Sequence, residues 1–309
     1  MLSVPRVSLI TPAYNQADFL AETMDSVLAQ TYDSFEYLVV DDGSVDATAT
    51  VLQRYAGRVD FRSQRNRGQA QTLNEAWGAA RGEYLGYLSS DDLLLPQALE
   101  RLVAVLDAHP EVVCVYPDSD LIDVKSRRIR RHVCRPFDLA HVVVMQECHV
   151  GPGALFRRSA FLQLGGWRPY LKLAPDREFW MRLGLLGEIR MLDETLAQYR
   201  THGEATSFRA ATAEITREYL RVLDEYFARP DIPAFLIARR SEAYARAWLL
   251  MARNALWRGD WRQAAGFLDE AVKLHPPLDT WRERALLLRQ GLSKPVKQAY
   301  SWMRRASRR

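Results

Sequence analysis

The sequence predicts an α/β fold: a mostly parallel sheet with helices on both faces, followed by an all-helical C-terminal region. Three observations predict it. Up to about residue 125, short β-branched runs alternate with stretches of helical apolar spacing, the pattern of a parallel sheet covered on both sides. Three polar clusters, "TPAYN", "DDGS" and "SSDD", fall where the apolar runs end, and such sheets bind ligands beyond the carboxyl ends of their strands. From about residue 208 the composition turns to Ala, Leu, Arg and Glu, broken by Pro-containing turns such as "RPDIP".

In order, "RVSLI" is a β-branched strand closed by Thr11 and Pro12. "ADFLAETMDSVLAQ" carries Phe19, Met24 and Val27 at helical spacing, all expected to face inward. "FEYLVV" is the next buried strand, "DATATVLQRYA" a helix and "DFRSQ" a short strand. "GQAQTLNEAWGAAR" reads as a helix, "GEYLGYL" as a strand, "PQALERLVAVLDAH" as a helix, and "EVVCVYPDSDLID" as a strand with its continuation. From about 130 to 207 the pattern is less regular. The expected division is a first domain over 1–207, with a nucleotide-binding part over about 1–125 and an acceptor or catalytic part over about 126–207. A helical domain follows over 208–309.

Composition bounds the function. The chain has 309 residues and 48% apolar content, enough for one large domain or two ordinary ones. A net charge of +4 suits an anionic ligand, nucleic acid or a membrane surface without choosing among them. Cys114, Cys134 and Cys148 form no metal-ligand spacing and read as free thiols in a reducing compartment. "MLSVPRVSLITP" reads as a buried strand, not a signal peptide. No segment approaches the roughly 20 apolar residues of a membrane helix. A soluble, cytoplasmic protein is expected, at most peripheral on the cytoplasmic face of the inner membrane.

Within the helical tail, Trp248, Gly259, Asp260, Ala264, Ala271, Leu274 and Pro276 sit at the spacing of one tetratricopeptide-like hairpin. One unit cannot bury its own face, which makes the hairpin a candidate protein-docking surface.

The adjacent carboxylates Asp91 and Asp92 pose the sharpest question, because like charges side by side need a partner. Either they cap a helix beginning near Pro96, or they hold a divalent cation that carries an anion. Taken together, "VSLITPAYNQADFLAETMDSVLAQTYDSFEYLVVDDGSVDAT", "NRGQAQTLNEAWGAARGEYLGYLSSDD" and "PDREFWMRL" resemble, in order, the inverting nucleotide-sugar glycosyltransferases of family 2, which have the GT-A fold. The resemblance covers about two-thirds of the chain.

It implies a hexosyltransferase-type enzyme that uses Mn²⁺ or Mg²⁺ and a nucleotide-sugar donor, UDP- or dTDP-linked. The acceptor is a saccharide or a lipid-linked saccharide, as in cell-surface polysaccharide assembly. By the resemblance, Pro12, Ala13, Tyr14 and Asn15 form the loop over base and ribose, and Asp41 accepts an N–H from the base. Asp42, Gly43 and Ser44 shape the turn and cap the helix starting near Asp46. Arg67 reaches a phosphate or ribose. Asp91 and Asp92 hold the metal, one of them also contacting ribose, although Ser89 stands where many relatives carry a further Asp. Asp176 aligns with the general base, with Pro175 in place of the family's Glu and Glu178 as the alternative. His202, in "YRTHGEATS", is a further metal ligand, Arg200 a partner of the diphosphate, and His149 a residue of the acceptor pocket. Trp167 and Trp180 are candidates for stacking on a sugar, with core packing as the plainer role.

A non-catalytic sugar-nucleotide-binding or scaffold protein is the alternative, which intact Asp41, Asp91, Asp92 and Asp176 disfavour. A nucleotidyltransferase is disfavoured because "TPAYNQADF" has no glycine or lysine, and a Rossmann dehydrogenase because no G-x-G-x-x-G follows the first strand. No nucleic-acid partner is expected. The C-terminus carries Lys294, Lys297, Arg304, Arg305, Arg308 and Arg309 with no acid among them, and Val296, Ala299, Tyr300 and Met303 at helical spacing. That pattern suits an amphipathic contact with an anionic membrane.

Overall fold

A computed structural model describes residues 4–202 and 211–291; the basic segment beyond 291 lies outside them. The chain divides into two compact units. The first comprises 1–137, 148–170 and 175–202, and the second 138–147, 171–174 and 203–309.

The first unit is built on one sheet. Its elements are β1 (Val7–Ala13), α1 (Leu20–Leu28), β2 (Phe35–Asp41), α2 (Thr48–Gln53), β3 (Asp60–Ser63), α3 (Gln69–Ala79), β4 (Tyr84–Tyr87), β5 (Leu93–Leu94), α4 (Ala98–Ala108), β6 (Val112–Ile122), β7 (Arg128–Arg130), β8 (Leu155–Arg157), α5 (Arg158–Leu164), α6 (Pro175–Leu183) and β9 (Glu188–Arg200). The strand order is β3-β2-β1-β4-β8-β6-β9-β5, with β7 on β6. The four strands from β3 to β4 are parallel, as the strand–helix alternation predicts. Beyond β4 the sheet is mixed: β8 is antiparallel to both β4 and β6, β9 is parallel to β6, and β5 is antiparallel to β9. The mixing begins where the connections cease to be single crossover helices, since only those force parallel pairing.

Alternation along the strands separates two cores. Val7 and Leu9 of β1 pack with Met24 and Val27 of α1, Leu52 of α2 and Leu102 of α4. Ile10 points the other way, into Leu73 and Trp77 of α3, Phe161 of α5 and Phe179 and Trp180 of α6. Helices therefore cover both faces. Phe19, expected inside, instead precedes α1 and is only partly buried. Pro12 is tolerated inside β1 because β4 pairs only as far as Ile10, so its missing N–H lies past that ladder.

The second unit contains α7 (Ala213–Thr216), α8 (Glu218–Phe227), α9 (Ala234–Ile237), α10 (Arg240–Trp257) and α11 (Trp261–Leu274). α10 and α11 form the expected hairpin. It turns at Gly259, whose φ of 79° is open to glycine, and Asp260 caps α11 by accepting the Gln263 N–H at 2.9 Å. Ala252, Ala255 and Ala264 let the two helices approach, and Trp248 meets Phe267 with ring centroids 5.4 Å apart. This unit also draws in two segments from within 1–207. Val142, Val143 and Val144 are buried and their turn packs on α10, while Glu218 accepts the N–H groups of Lys172 and Leu173. Apolar cover for α10 and a carboxylate for two open N–H groups explain why these stretches leave the sheet unit.

Candidate active site

The polar clusters meet at the carboxyl edge of the parallel strands. In register, Ala13 pairs with Asp41 and Asp41 with Ser63. β4 ends at Tyr87 and delivers the chain into the turn that carries Asp91 and Asp92.

That turn is not a helix cap. β5 lies between it and α4, and the N-cap position of α4 is Gln97. Asp92 is 3% exposed, and its Oδ1 accepts the backbone N–H of Arg200 at 2.8 Å. Burial, then the neighbouring charge of Asp91, pushes its carboxyl well above the usual range, and the Arg200 N–H and charge only partly offset them. Asp91 is less buried, and its Oδ2 lies 2.8 Å from Nε2 of His202. The ring of His202 packs on Phe19, centroids 4.9 Å apart, which fixes the imidazole beside the carboxylate.

Arg200, expected at the diphosphate, has another role. Its side chain is fully buried. Nε donates to the Asp91 carbonyl at 2.7 Å, Nη1 to the Asp123 carbonyl at 3.0 Å and to Ser126 Oγ at 2.9 Å, and Nη2 to Glu22 Oε2 at 2.7 Å. With its donors committed inside the fold, Arg200 is a strut beneath the carboxylate turn. It also lies 5.0 Å over the ring of Phe19.

On the nucleotide side, Asp41 is 3% exposed and accepts the Ser44 N–H at 3.0 Å and the Ser63 hydroxyl at 3.1 Å. Each oxygen keeps a second lone pair for a ligand N–H. Pro12 and Ala13, expected in the loop, are the buried last residues of β1, and the loop begins at Tyr14. Tyr14 is 49% exposed, so plain packing does not account for it. Asn15 has φ 53°, and it accepts the Val45 N–H and donates its own N–H to Ser44 Oγ. This side-chain locking supports the left-handed backbone that Asn tolerates. Asp42 does not cap a helix. It reaches across to Gln64 and to the N–H groups of Arg67 and Gly68, holding the "NRG" segment. The guanidinium of Arg67 is paired with both Glu75 oxygens at 2.6 and 2.7 Å on an exposed surface, away from the phosphate role expected of it.

Asp176 opens α6 after Pro175, which suits the first helical turn. Burial raises its carboxyl above the usual range, against the Arg177 N–H and charge, yet part of its surface stays open. A carboxylate of raised pKa is a stronger base. Glu178 is not an alternative base, since it is buried and bound by Arg182 at 2.5 and 2.7 Å. Arg182 also donates to the Leu164 and Gly166 carbonyls, and Asn74 of α3 holds Trp167 through both its N–H and its carbonyl. The segment before α6 is thus clamped from two helices. Trp167 is 3% and Trp180 1% exposed, so neither offers a face to a sugar; both belong to the aromatic core around Trp77.

Sequence reading missed Tyr87. It packs edge-on against Trp167, centroids 5.0 Å apart. Its phenol is pushed well above the usual range by burial first, then by the charges of Asp176, Cys148 and Asp92. Tyr87 therefore neighbours both the carboxylate turn and Asp176. The Cys148 thiol is pushed up to about 12 by burial and by Asp176, and the half-buried His149 is next in sequence. The only signal for Tyr87 was its place at the end of a predicted strand.

The arrangement suits a hard divalent cation. Asp91 and Asp92 offer the oxygen ligands that Mg²⁺ and Mn²⁺ take. Asp92 Oδ2 has no hydrogen-bond donor among the described residues, and a cation would relieve the repulsion between the pair. His202 orients Asp91 in this structure, the role of a group behind a ligand.

Comparison with known proteins agrees with this geometry. Residues 8–165 match the model of glycosyl transferase family 2. Chondroitin synthase of Escherichia coli is 30% identical over 237 residues, covering 75% of this chain and 34% of that protein. Among solved structures, Staphylococcus aureus TarS 1–349 in complex with UDP-GlcNAc superposes with a TM-score of 0.70 at 20% identity, covering 94% of this chain and 88% of that one. The mannosyltransferase PcManGT of Pyrobaculum calidifontis, in complex with GDP-Man and Mn²⁺, gives 0.59 at 20% identity, covering 97% and 88%. At those identities the structures establish a shared GT-A fold. With half of the chain matched by the family model and the strand-end carboxylates in place, the chain belongs to glycosyl transferase family 2, a family of glycosyltransferases.

Proposed function

We propose that the chain is a metal-dependent inverting glycosyltransferase, moving a hexose from a UDP- or dTDP-sugar to a saccharide or lipid-linked saccharide, with the chemistry carried by 1–207. The observation that carries the reading is that Asp41 and the Asp91–Asp92 turn meet at the carboxyl ends of the parallel strands, with Asp176 and Asp92 both near enough to Tyr87, at the end of β4, to act on its phenol. In this reading Asp41 accepts an N–H of the base, and Tyr14 covers it. Asp91 and Asp92 would hold Mn²⁺ or Mg²⁺, which would supply Lewis-acid neutralisation of the departing diphosphate. Asp176 takes the proton of the acceptor hydroxyl as that oxygen bonds the anomeric carbon and the bond to the diphosphate breaks, a single displacement that inverts the centre. His149 borders the acceptor. A nucleoside diphosphate and a saccharide in the names of the relatives support the donor and acceptor classes.

The reading extends to location. Among the described residues no helix is long and apolar enough to cross a membrane. The helical stretch 281–291 exposes Trp281 at 75% and Leu288 at 44%, with Arg282, Arg284 and Arg289 alongside. Together with the basic segment after it, this suits peripheral binding to anionic lipid on the cytoplasmic face; the hairpin remains a candidate protein-docking surface.

The test is release of nucleoside diphosphate from a panel of UDP-, dTDP- and GDP-sugars with Mn²⁺, with and without saccharide acceptors. Release from a uridine or thymidine donor that is lost in Asp176→Asn supports the proposal. Binding of donor without turnover under every condition would favour the scaffold alternative.

A further inference from the structure

We infer that Glu22 is a positioning residue: through Arg200 it sets the cation affinity of the Asp91–Asp92 turn without touching the cation. This rests on the proposed cation site. Glu22 lies in the first turn of α1, far in sequence from the turn it serves. Its Oε2 accepts from Arg200 Nη2 at 2.7 Å and its Oε1 accepts from Ser126 Oγ at 2.6 Å, while Ser126 Oγ in turn accepts from Arg200 Nη1 at 2.9 Å. Glu22, Ser126 and Arg200 therefore close a three-membered ring of hydrogen bonds.

The electrostatics give that ring its purpose. A fully buried guanidinium requires counter-charge. Glu22 supplies the one carboxylate ion pair of Arg200 among the described residues. The same arginine meets the carboxylate turn through its backbone N–H to Asp92 and its Nε to the Asp91 carbonyl. With Glu22 present, the guanidinium is drawn toward α1, and the turn keeps its negative charge for a cation. Without it, the guanidinium charge is left beside the carboxylate turn that Arg200 already contacts through its backbone N–H and Nε, so Arg200 competes with the cation for that turn. Phe19 reinforces the geometry, since one ring supports both the Arg200 guanidinium and the His202 imidazole. The start of α1, with Phe19 just before it and Glu22 in its first turn, thus holds the two residues that back the acidic pair. Ser126, with φ 57°, sits in the hairpin turn between β6 and β7, and its strained backbone has a use here as the second anchor of the ring.

The experiment is calorimetric titration of MnCl₂ into the full chain with saturating UDP, backed by the electron paramagnetic resonance spectrum of bound Mn²⁺. Both are read well below the melting temperature of each variant. Glu22→Ala should weaken Mn²⁺ by about 10–100-fold, the scale for groups behind metal ligands. Glu22→Gln keeps an acceptor for Arg200 but no charge, and should lose affinity by a smaller factor. UDP affinity measured without metal should stay within about twofold, which separates positioning from general loosening of the fold. If Glu22→Ala does not fold, Glu22→Gln decides alone. Mn²⁺ affinity equal to wild type in the folded variants overturns the inference and leaves the cation site standing. No Mn²⁺ binding by the wild type overturns the cation site and this inference with it.

Discussion

Replacing Asp92 by Asn should make the metal-free protein more stable while removing its response to Mn²⁺. In the wild type a buried carboxyl group faces a second one, and the upward push on its pKa reflects burial and repulsion that outweigh the help from Arg200. Asparagine keeps an oxygen to accept the Arg200 N–H, so that 2.8 Å bond survives. It gives up attraction to the Arg200 guanidinium, whose ion pair with Glu22 remains. The balance is a gain of roughly 1–2 kcal/mol, the usual yield when a functional site is relieved of strain. For a unit of about 200 residues that is roughly 2–8 °C in melting temperature. The pH dependence has a definite sign. A raised carboxyl pKa means that the folded state holds its proton more tightly than the unfolded chain, so wild-type stability from this group rises as pH falls through its folded pKa toward the ordinary carboxylate value. The advantage of Asp92→Asn should be largest near pH 8 and close on acidification, where the wild type neutralises Asp92 itself. Scanning calorimetry in EDTA from pH 8 to pH 5 measures this. A Mn²⁺ arm at a hundred times the dissociation constant should add about 2.7 kcal/mol to the wild type and nothing to the variant. A variant no more stable than wild type in EDTA at pH 8 would refute the account of Asp92.

Asp176→Asn should cut turnover by about 10²–10⁴ with donor affinity nearly unchanged; collapse of donor affinity instead would move Asp176 to the donor site. In the wild type, turnover should fall as pH drops through the raised pKa of Asp176, at a pH above the ordinary carboxylate range, and a limb at an ordinary value would contradict its burial. Gly166→Ala places a Cβ in steric conflict with Asn74 Oδ1, an atom pinned by the Trp167 N–H, so denaturant unfolding should show a loss of roughly 1–3 kcal/mol. A chain ending at Gly291 should lose sedimentation with anionic vesicles at low salt, and equal binding by both lengths would leave the basic end as an ordinary charged terminus.

What the sequence determined by itself was the order of strands and helices and the place of the polar clusters, because both follow from local periodicity. The parallel β3-β2-β1-β4 half follows directly from runs such as "FEYLVV" alternating with helical stretches. The Asp91–Asp92 pair stood out because adjacent like charges need a partner, whereas Asp41 and Asp176 stood out through the family resemblance of the segments that carry them. Tertiary structure decided the rest. Arg200 read as a partner of the diphosphate because it lies in the segment that resembles the family's closing motif, but its counter-charge lies 178 residues away on α1 and its strut position depends on β9 lying between β6 and β5. Trp167 was a candidate for stacking on a sugar until α3 took its ring edge-on against Trp77 and held its backbone through Asn74, and Tyr87 had no motif at all. Phe19 fits the helical period, yet it serves the site because α1 presents its first turn to Arg200 and His202. Val142, Val143 and Val144 joined the helical unit because α10 offers them cover. Periodicity tells a chain which face of an element is buried; which charges meet across that face depends on how distant elements pack, and no local pattern encodes it.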